Sequence, residues 1–412
     1  APPSRVLAGC KKRDARKARG GSMDDATRID QLVRRHLIRR GMVLFYKPSE
    51  QLVLSTPWAL AQARTARMLS VDAKCDTTTG IRSKWVSVRF KTARDLSAPG
   101  CVWIVPEEPA ETMTIGMRAL QYNMQCNVPS CPHTLIETHS ADGSYERRLS
   151  CQLWWFPPVV LDKHIPSFNG LRAAGLTELF LCAFHGYNCF ESRLIEIGFI
   201  DKAADIANWG FRLLTRSATD EMAFDLRDAF ACMLVRHAAM PDRLWTLEQA
   251  EDLIEYIDKC WMYPKMIRLS WIDGPRLELV KKQGKAGFLN TSGINEGSHQ
   301  KWEQIQMRNE QNRLVSGTIV KTLGYTADGQ LAVGGGFFQD AQTRWSDAEG
   351  QPLPETTDRK VSQLPNPNPY PEPNVHVHVH EQRKRCTSHV HALSPEPNVT
   401  RTQTRTQTRA VP

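Results

Sequence analysis

Three acids in this 412-residue chain stand where acids do chemistry: Asp72, Asp162 and Glu296. Asp72 follows the strand-like run Met68-Leu69-Ser70-Val71, Asp162 follows Val159-Val160-Leu161, and Glu296 opens a polar helix after the turn-forming segment Asn290–Asn295. The carboxyl ends of strands are where α/β proteins place catalytic groups. Carboxylate oxygens suit hard cations, and two Mg²⁺ ions roughly 3.5–4 Å apart can activate an attacking oxygen and stabilise a leaving one in a phosphodiester. The trio therefore points to metal-assisted phosphodiester chemistry, against the plainer alternative of unrelated surface acids and helix caps.

Other residues with useful chemistry lie near these acids in the chain. Cys182 and His185 close the next apolar run, Leu179-Phe180-Leu181, as Cys-x-x-His. They read either as half of a zinc site, completed by Cys189 and a histidine such as His237, or as packed residues. Because they belong to the following strand, they are expected beside the acids rather than as ligands of the same metal. His299 falls one helical turn after Glu296, within reach of a metal site or a phosphate. Asp76, four residues beyond Asp72, is a poorer candidate. Cys126, Cys131, His133, His139 and Cys151 are close in sequence, but their spacing matches no standard zinc knuckle, so no zinc is expected there.

The elements that must position these groups follow from periodicity. Capping acids at Asp24-Asp25 start an amphipathic helix running to Arg40, and Met42–Tyr46 and Leu52–Leu54 are short strands. A hairpin spans 67–91, with its turn over 73–80 and Trp85–Phe90 returning; Cys101–Val105 is a third strand, followed by a helix over Pro109–Gln125. After Asp162, a helix over Phe168–Ala174 ends at Gly175. Glu191–Ala207, Thr219–Ala239 and Thr246–Trp261 then repeat apolar residues at helical spacing, with Ser217 or Thr219 and Thr246 as caps.

The resulting organisation is a basic disordered arm over 1–22, a helix and lead-in strands over 23–66, the first part of an α/β core over 67–188, an all-helical segment over 189–283, a final helix over 284–326 and a low-complexity tail over 327–412. The fold class is α/β, opening antiparallel and continuing parallel. Residues 1–40 hold 12 Lys/Arg against 4 Asp/Glu, a net +8. Residues 381–412 hold 6 against 2, a net +4, so the stretch between carries −3 of the chain's +9. Basic ends of this kind fit either arms for an acidic polymer such as DNA or solvated tails without a specific partner. No run of about eighteen apolar residues occurs and the N-terminal apolar segment is too short for a secretory signal, which predicts an intracellular protein without a membrane helix. The eleven cysteines are too scattered for a disulfide framework.

Four segments in order resemble Mutator-like (MULE) transposases. VDAKCDTTTGIRSKWV is similar to the family's first-aspartate segment, PGCVWIVPEEPAETMTIGMRAL to its next strand and helix, PPVVLDKHIPSFNGLRAAG with LFLCAFH to its second-aspartate strand and Cys-x-x-His, and LNTSGINEGSHQKWEQ to its Asn-Thr-x-x-x-x-Glu-x-x-His segment. The resemblance implies a ribonuclease-H-like mixed sheet with an all-helical insertion before the last catalytic acid, and Asp72, Asp162 and Glu296 as a triad holding two Mg²⁺ or Mn²⁺ ions. It implies cut-and-paste transposition in the nucleus, acting on transposon ends and target DNA as a homo-oligomer. The N-terminal zinc-binding recognition domain usual in such transposases, and the C-terminal zinc module often present, are not legible; Cys386 with His389 and His391 does not make one. A domesticated or decayed relative that binds DNA or a partner without cutting is therefore the alternative expectation.

Overall fold

The computed structural model describes residues 24–74, 83–91, 97–151, 153, 155–284, 288–295 and 319. The expected arm over 1–22, the hairpin turn with Asp76, most of the final helix with Glu296 and His299, and the tail over 327–412 lie outside these residues. Among those described, the chain is an α/β protein built on one mixed, open sheet of nine strands in the order β6-β7-β1-β2-β5-β4-β3-β8-β9. No helix among them is long and apolar enough to cross a membrane.

Helix α1 (Asp25–Leu32) continues as a π-helical turn over Val33–Leu37 and stops there, short of the expected Arg40. Strands β1 (Val43–Lys47) and β2 (Gln51–Leu54) form the expected antiparallel pair. A short helix α2 (Pro57–Ala63), which the apolar pattern did not announce, follows; Thr56 caps it by accepting from the N–H of Ala59, and proline takes its first turn. β3 (Leu69–Lys74), β4 (Lys84–Lys91) and β5 (Ser97–Val105) make an antiparallel meander. Asp72 is thus the fourth of six residues in β3 and not the residue after its end, because pairing with β4 carries the strand on to Lys74.

Helix α3 (Ala110–Tyr122) crosses back over the sheet. The stretch after it, to which the sequence pattern assigned no element, contains a hairpin of β6 (Leu135–His139) and β7 (Tyr145–Leu149), and β7 extends the sheet beyond β1. The hairpin corrects a second expectation. It brings Cys126, Cys131, His133 and Cys151 together, with ligand-type atoms all within 4.8 Å, although their sequence spacing follows no standard pattern. His139, the fifth of those residues, instead lies across the hairpin against the Tyr145 ring.

β8 (Val159–Leu161), α4 (Ile165–Ala173) and β9 (Leu179–Leu181) complete the sheet, and both strands run parallel to β3. Gly175 ends the α4 segment at φ +95°, as expected. Helices α5 (Ala183–Glu196), α6 (Asp201–Thr215), α7 (Asp220–Ala238), α8 (Leu247–Ile257), α9 (Lys265–Trp271) and α10 (Asp273–Gln283) follow. Thr219 and Thr246 cap α7 and α8, the latter as a full capping box with Gln249. The single helix expected over Glu191–Ala207 is two, broken where Gly198 takes φ +82°. Phe190, Phe211 and Trp271 stack at centroid separations of 3.9 and 4.9 Å to form the centre of this helical layer.

Strand alternation sorts the side chains. Leu69, Val71, Val86, Val88, Val159, Leu161, Leu179 and Leu181 join one core with α3, α4 and the later helices. On the opposite face, Val160, Phe180 and Cys182 pack with Leu279 and Leu289. Helices α3 and α4 meet at Gly170, where a Cβ would fall 2.5 Å from Met113 Cβ and closer still to the Ala110 carbonyl oxygen. Alanine at an exposed helical glycine gains about 1 kcal/mol. Here Gly170→Ala must separate two helix backbones, and it is expected to destabilise the fold by about 2 kcal/mol, the range of core overpacking, in urea unfolding.

Candidate functional site

The parallel pairing of β3, β8 and β9 places the candidate residues at one level. Val71 pairs with Leu161, and Leu161 with Leu181. The next residue on each chain is Asp72, Asp162 and Cys182, and Cys182 extends the ladder by donating its N–H to the Leu161 carbonyl at 2.8 Å. Period-two alternation turns all three side chains to the face that carries Val160 and Phe180. Asp72 is only 8% exposed, whereas the Asp162 side chain keeps 35% of its surface at the rim.

Cys182 and His185 stand beside Asp162, as their place on the next strand suggested, and His185 contacts it directly. Cys182 caps α5 and His185 lies in its first turn, which folds the imidazole back over the strand ends. His185 Nδ1 meets Asp162 Oδ1 at 2.7 Å, and one atom each of Asp162, Cys182 and His185 lies within 4.8 Å of the others. Cys189 and His237 do not join them: His237 stacks on Trp245 at 4.2 Å and accepts from the N–H of Leu244. Cys189 is an exposed thiol on α5.

Residues 288–295, which include the expected turn over Asn290–Asn295, bring a second layer of contacts. The Ser292 hydroxyl is 3.3 Å from Asp162 Oδ1, 3.3 Å from Cys182 Sγ and 3.2 Å from His185 Nδ1. Its backbone N–H donates to the same sulfur at 3.2 Å. Asn295 is wholly buried against β3 and β4, donating from Nδ2 to Ser70 Oγ at 2.7 Å and accepting at Oδ1 from Ser87 Oγ at 2.9 Å. Ser70 shares a strand face with Asp72, and Ser87 is the residue paired with Asp72 across the strands.

Arg276 on α10 holds this segment in place. It donates to the carbonyls of Leu181 and Ser270 and to the Asn290 side chain, while the Asn290 carbonyl accepts from the N–H of Ala183. The signal that could have found these residues is polarity in a buried pattern: Ser70 and Ser87 interrupt apolar strands, and a buried hydroxyl requires a partner.

Electrostatics follow from this packing. Hydrogen bonding to Asp162, and next to Cys182, pushes the His185 imidazolium up to about 11 against a smaller opposing effect of burial. Burial works to raise the Cys182 thiol, but its hydrogen bonds with His185 and Ser292 outweigh this and hold it below the ordinary range. A carboxylate, an imidazolium and a thiol inclined to ionise thus form one compact, charge-coupled group. As donors, Asp72 and Asp162 are hard oxygens suited to Mg²⁺, whereas Cys182 and His185 are softer ligands of the kind zinc takes.

No protein-family model matches the chain, and no curated protein matches it.

Two outcomes are expected. Asn295→Ala deprives the buried Ser70 and Ser87 hydroxyls of a shared partner and should cost about 3 kcal/mol in urea unfolding. In chelator-treated protein, the His185–Asp162 bond raises the folded-state pKa above the unfolded value of 6.5, so its stabilisation is complete below that pH and is lost as pH rises towards about 11. The difference in urea midpoint between the unmodified chain and Asp162→Asn should therefore shrink steadily across that window; a difference independent of pH would rule out the charged pair.

Proposed function

We propose that this chain carries the catalytic domain of a DNA transposase of the Mutator-like type, in which Asp72, Asp162 and Glu296 bind divalent cations for phosphodiester hydrolysis and strand transfer. The observation that carries the reading is the placement of Asp72 and Asp162 at one level on adjacent parallel strands, with their side chains on one face. The buried docking of Asn295 beside Asp72 adds to it, since Glu296 is the next residue in the sequence. Glu296 and His299 themselves lie outside the described residues.

The strand order β5-β4-β3-β8-β9 also supports a ribonuclease-H-like core: an antiparallel meander is followed by two parallel strands, with α3 and α4 as the crossovers. Helices α5 to α10 intervene between β9 and the segment that returns to the strand ends, which fits an all-helical insertion before the last acid.

The carboxylates of Asp72 and Asp162 fit hard cations, and Glu296 would complete the set for two Mg²⁺ or Mn²⁺ ions. Such ions, when bound, polarise the phosphodiester and supply a nucleophilic oxygen at neutral pH. The chain's own residues prepare the site. His185 and Ser292 orient the Asp162 carboxylate through Oδ1, and the apolar residues around Val160 and Phe180 keep the rear of the strands dry. The basic ends, +8 over 1–40 and +4 over 381–412, suit the phosphates of transposon ends and target DNA. Assembly as a homo-oligomer in the nucleus belongs to the same proposal.

One observation favours the second reading, a transposase-derived protein that binds DNA without cutting it. Asp162 Oδ1 is already engaged by the His185 imidazolium, which competes with a cation for that oxygen. Incubation of the full chain with terminal-repeat duplexes and Mg²⁺ or Mn²⁺ separates the two. Catalysis predicts strand cleavage and transfer that fall by more than about a hundredfold in Asp72→Asn, Asp162→Asn and Glu296→Gln, each of which removes an anionic metal ligand. DNA binding without cleavage in either ion would leave the second reading standing.

A further inference from the structure

We infer that Cys126, Cys131, His133 and Cys151 bind one structural Zn²⁺ ion that fastens the β6–β7 hairpin to the end of α3. The inference is independent of any transposase activity and uses none of the residues assigned to it.

The donor set is complete. Three sulfurs and one imidazole nitrogen lie within 4.8 Å of one another, and all three cysteines are free thiols. Closed four-coordinate sites with thiolate and imidazole donors are the structural zinc type. With Zn–S near 2.3 Å and Zn–N near 2.0 Å, tetrahedral geometry requires sulfur-to-nitrogen separations of about 3.5 Å. The separations from His133 Nδ1 are 3.9 Å to Cys126 Sγ and 3.2 Å to Cys151 Sγ, on either side of that value.

Backbone donors reach two of the three sulfurs. The backbone N–H groups of Val128 and His133 donate to the sulfurs of Cys126 and Cys131. Outer hydrogen bonds of this kind stabilise charged sulfur and orient it towards a metal. His133 itself adopts φ +46°, an uncommon conformation for a residue other than glycine, and this is the residue whose Nδ1 faces the sulfurs.

The position of the cluster explains what a zinc ion would do. Cys126 and Cys131 lie in the loop after α3, His133 just precedes β6, and Cys151 just follows β7. The ion would therefore close the open end of the hairpin, opposite its turn, where the Ser150 N–H donates to the Thr134 carbonyl at 2.8 Å. The hairpin has almost no core of its own. Tyr145 is the one fully buried residue of its two strands, β6 is an edge strand, and β7 pairs with β1 through only Phe45↔Glu146 and Tyr46↔Tyr145. An element that cannot bury enough apolar surface is commonly secured by a metal or a disulfide.

The test is made on the purified full chain. Metal analysis after dialysis should find a zinc equivalent that is retained in Cys182→Ser and lost in Cys131→Ser and Cys151→Ser. Replacement of zinc by Co²⁺ in the unmodified chain should give thiolate-to-cobalt charge transfer and the visible bands of a tetrahedral site with three sulfurs and one nitrogen. His133→Cys should keep the metal and shift those bands to the four-sulfur type, a result that loss of folding cannot produce. A chain without bound zinc, zinc content unchanged in Cys131→Ser and Cys151→Ser, or a cobalt spectrum unaltered by His133→Cys would each overturn the inference.

Discussion

The parallel register of β3, β8 and β9 is the constraint on which the site depends. A slip of one residue in any of the three strands would send that strand's side chains to the opposite face. Asp72, Asp162 or Cys182 would then point into the layer formed by α3 and α4, where the neighbours are Met113, Phe168 and Leu171. The register is secured by apolar residues on both faces. Val71, Leu161 and Leu181 pack under the helices, and Val160 and Phe180 pack with Leu279 and Leu289 on the other side. The same hydrophobic burial that stabilises the sheet therefore fixes the level of its polar groups.

A second constraint is the polar strip that crosses this apolar sheet. Ser70, Asp72 and Ser87 are buried, and hydroxyls and a carboxyl in such a place require hydrogen-bonding partners. Asn295 meets both serines from a segment more than two hundred residues later in the chain. Arg276, itself almost wholly buried, ties the same segment to the end of β9 through the Leu181 carbonyl and Asn290. Each link satisfies buried polar groups, so losing one costs desolvation as well as a single bond. The long helical excursion from α5 to α10 can thus return the chain accurately to the strand ends.

Much of this was legible in the sequence. Strongly periodic elements, such as the short apolar runs that became β8 and β9 and the capped helices beginning at Thr219 and Thr246, stand where expected because local pattern and tertiary burial agree. The misses have particular causes. β6 is an exposed edge strand with little apolar alternation, so it leaves no periodic signal. The glycine break at Gly198 lies inside a continuous helical pattern and shows only as a positive φ. The Cys126, Cys131, His133 and Cys151 cluster is assembled by a hairpin that brings positions 133 and 151 together, so linear spacing could not reveal it. Asp72 and Asp162 were recognisable one at a time from their strands; the partners Ser292 and Asn295 depend on a long-range return that no local pattern encodes.

Asp162 has two kinds of partner available, and their chemistry decides how the site can behave. In the structure its Oδ1 accepts from Ser292 and meets an imidazolium that stays protonated well above neutrality, so the local charge of the carboxylate is already balanced. A divalent cation would bring two charges where the imidazolium brings one, but it would have to draw the carboxylate from an existing bond and would repel the positive ring that lies 2.7 Å from the same oxygen. The thiol of Cys182 bears on the balance: if it ionises, the imidazolium retains a counter-charge after Asp162 turns to a metal. Cys182 stands at the N-cap of α5 and His185 in its first turn, so one rigid element sets both groups against the same carboxylate.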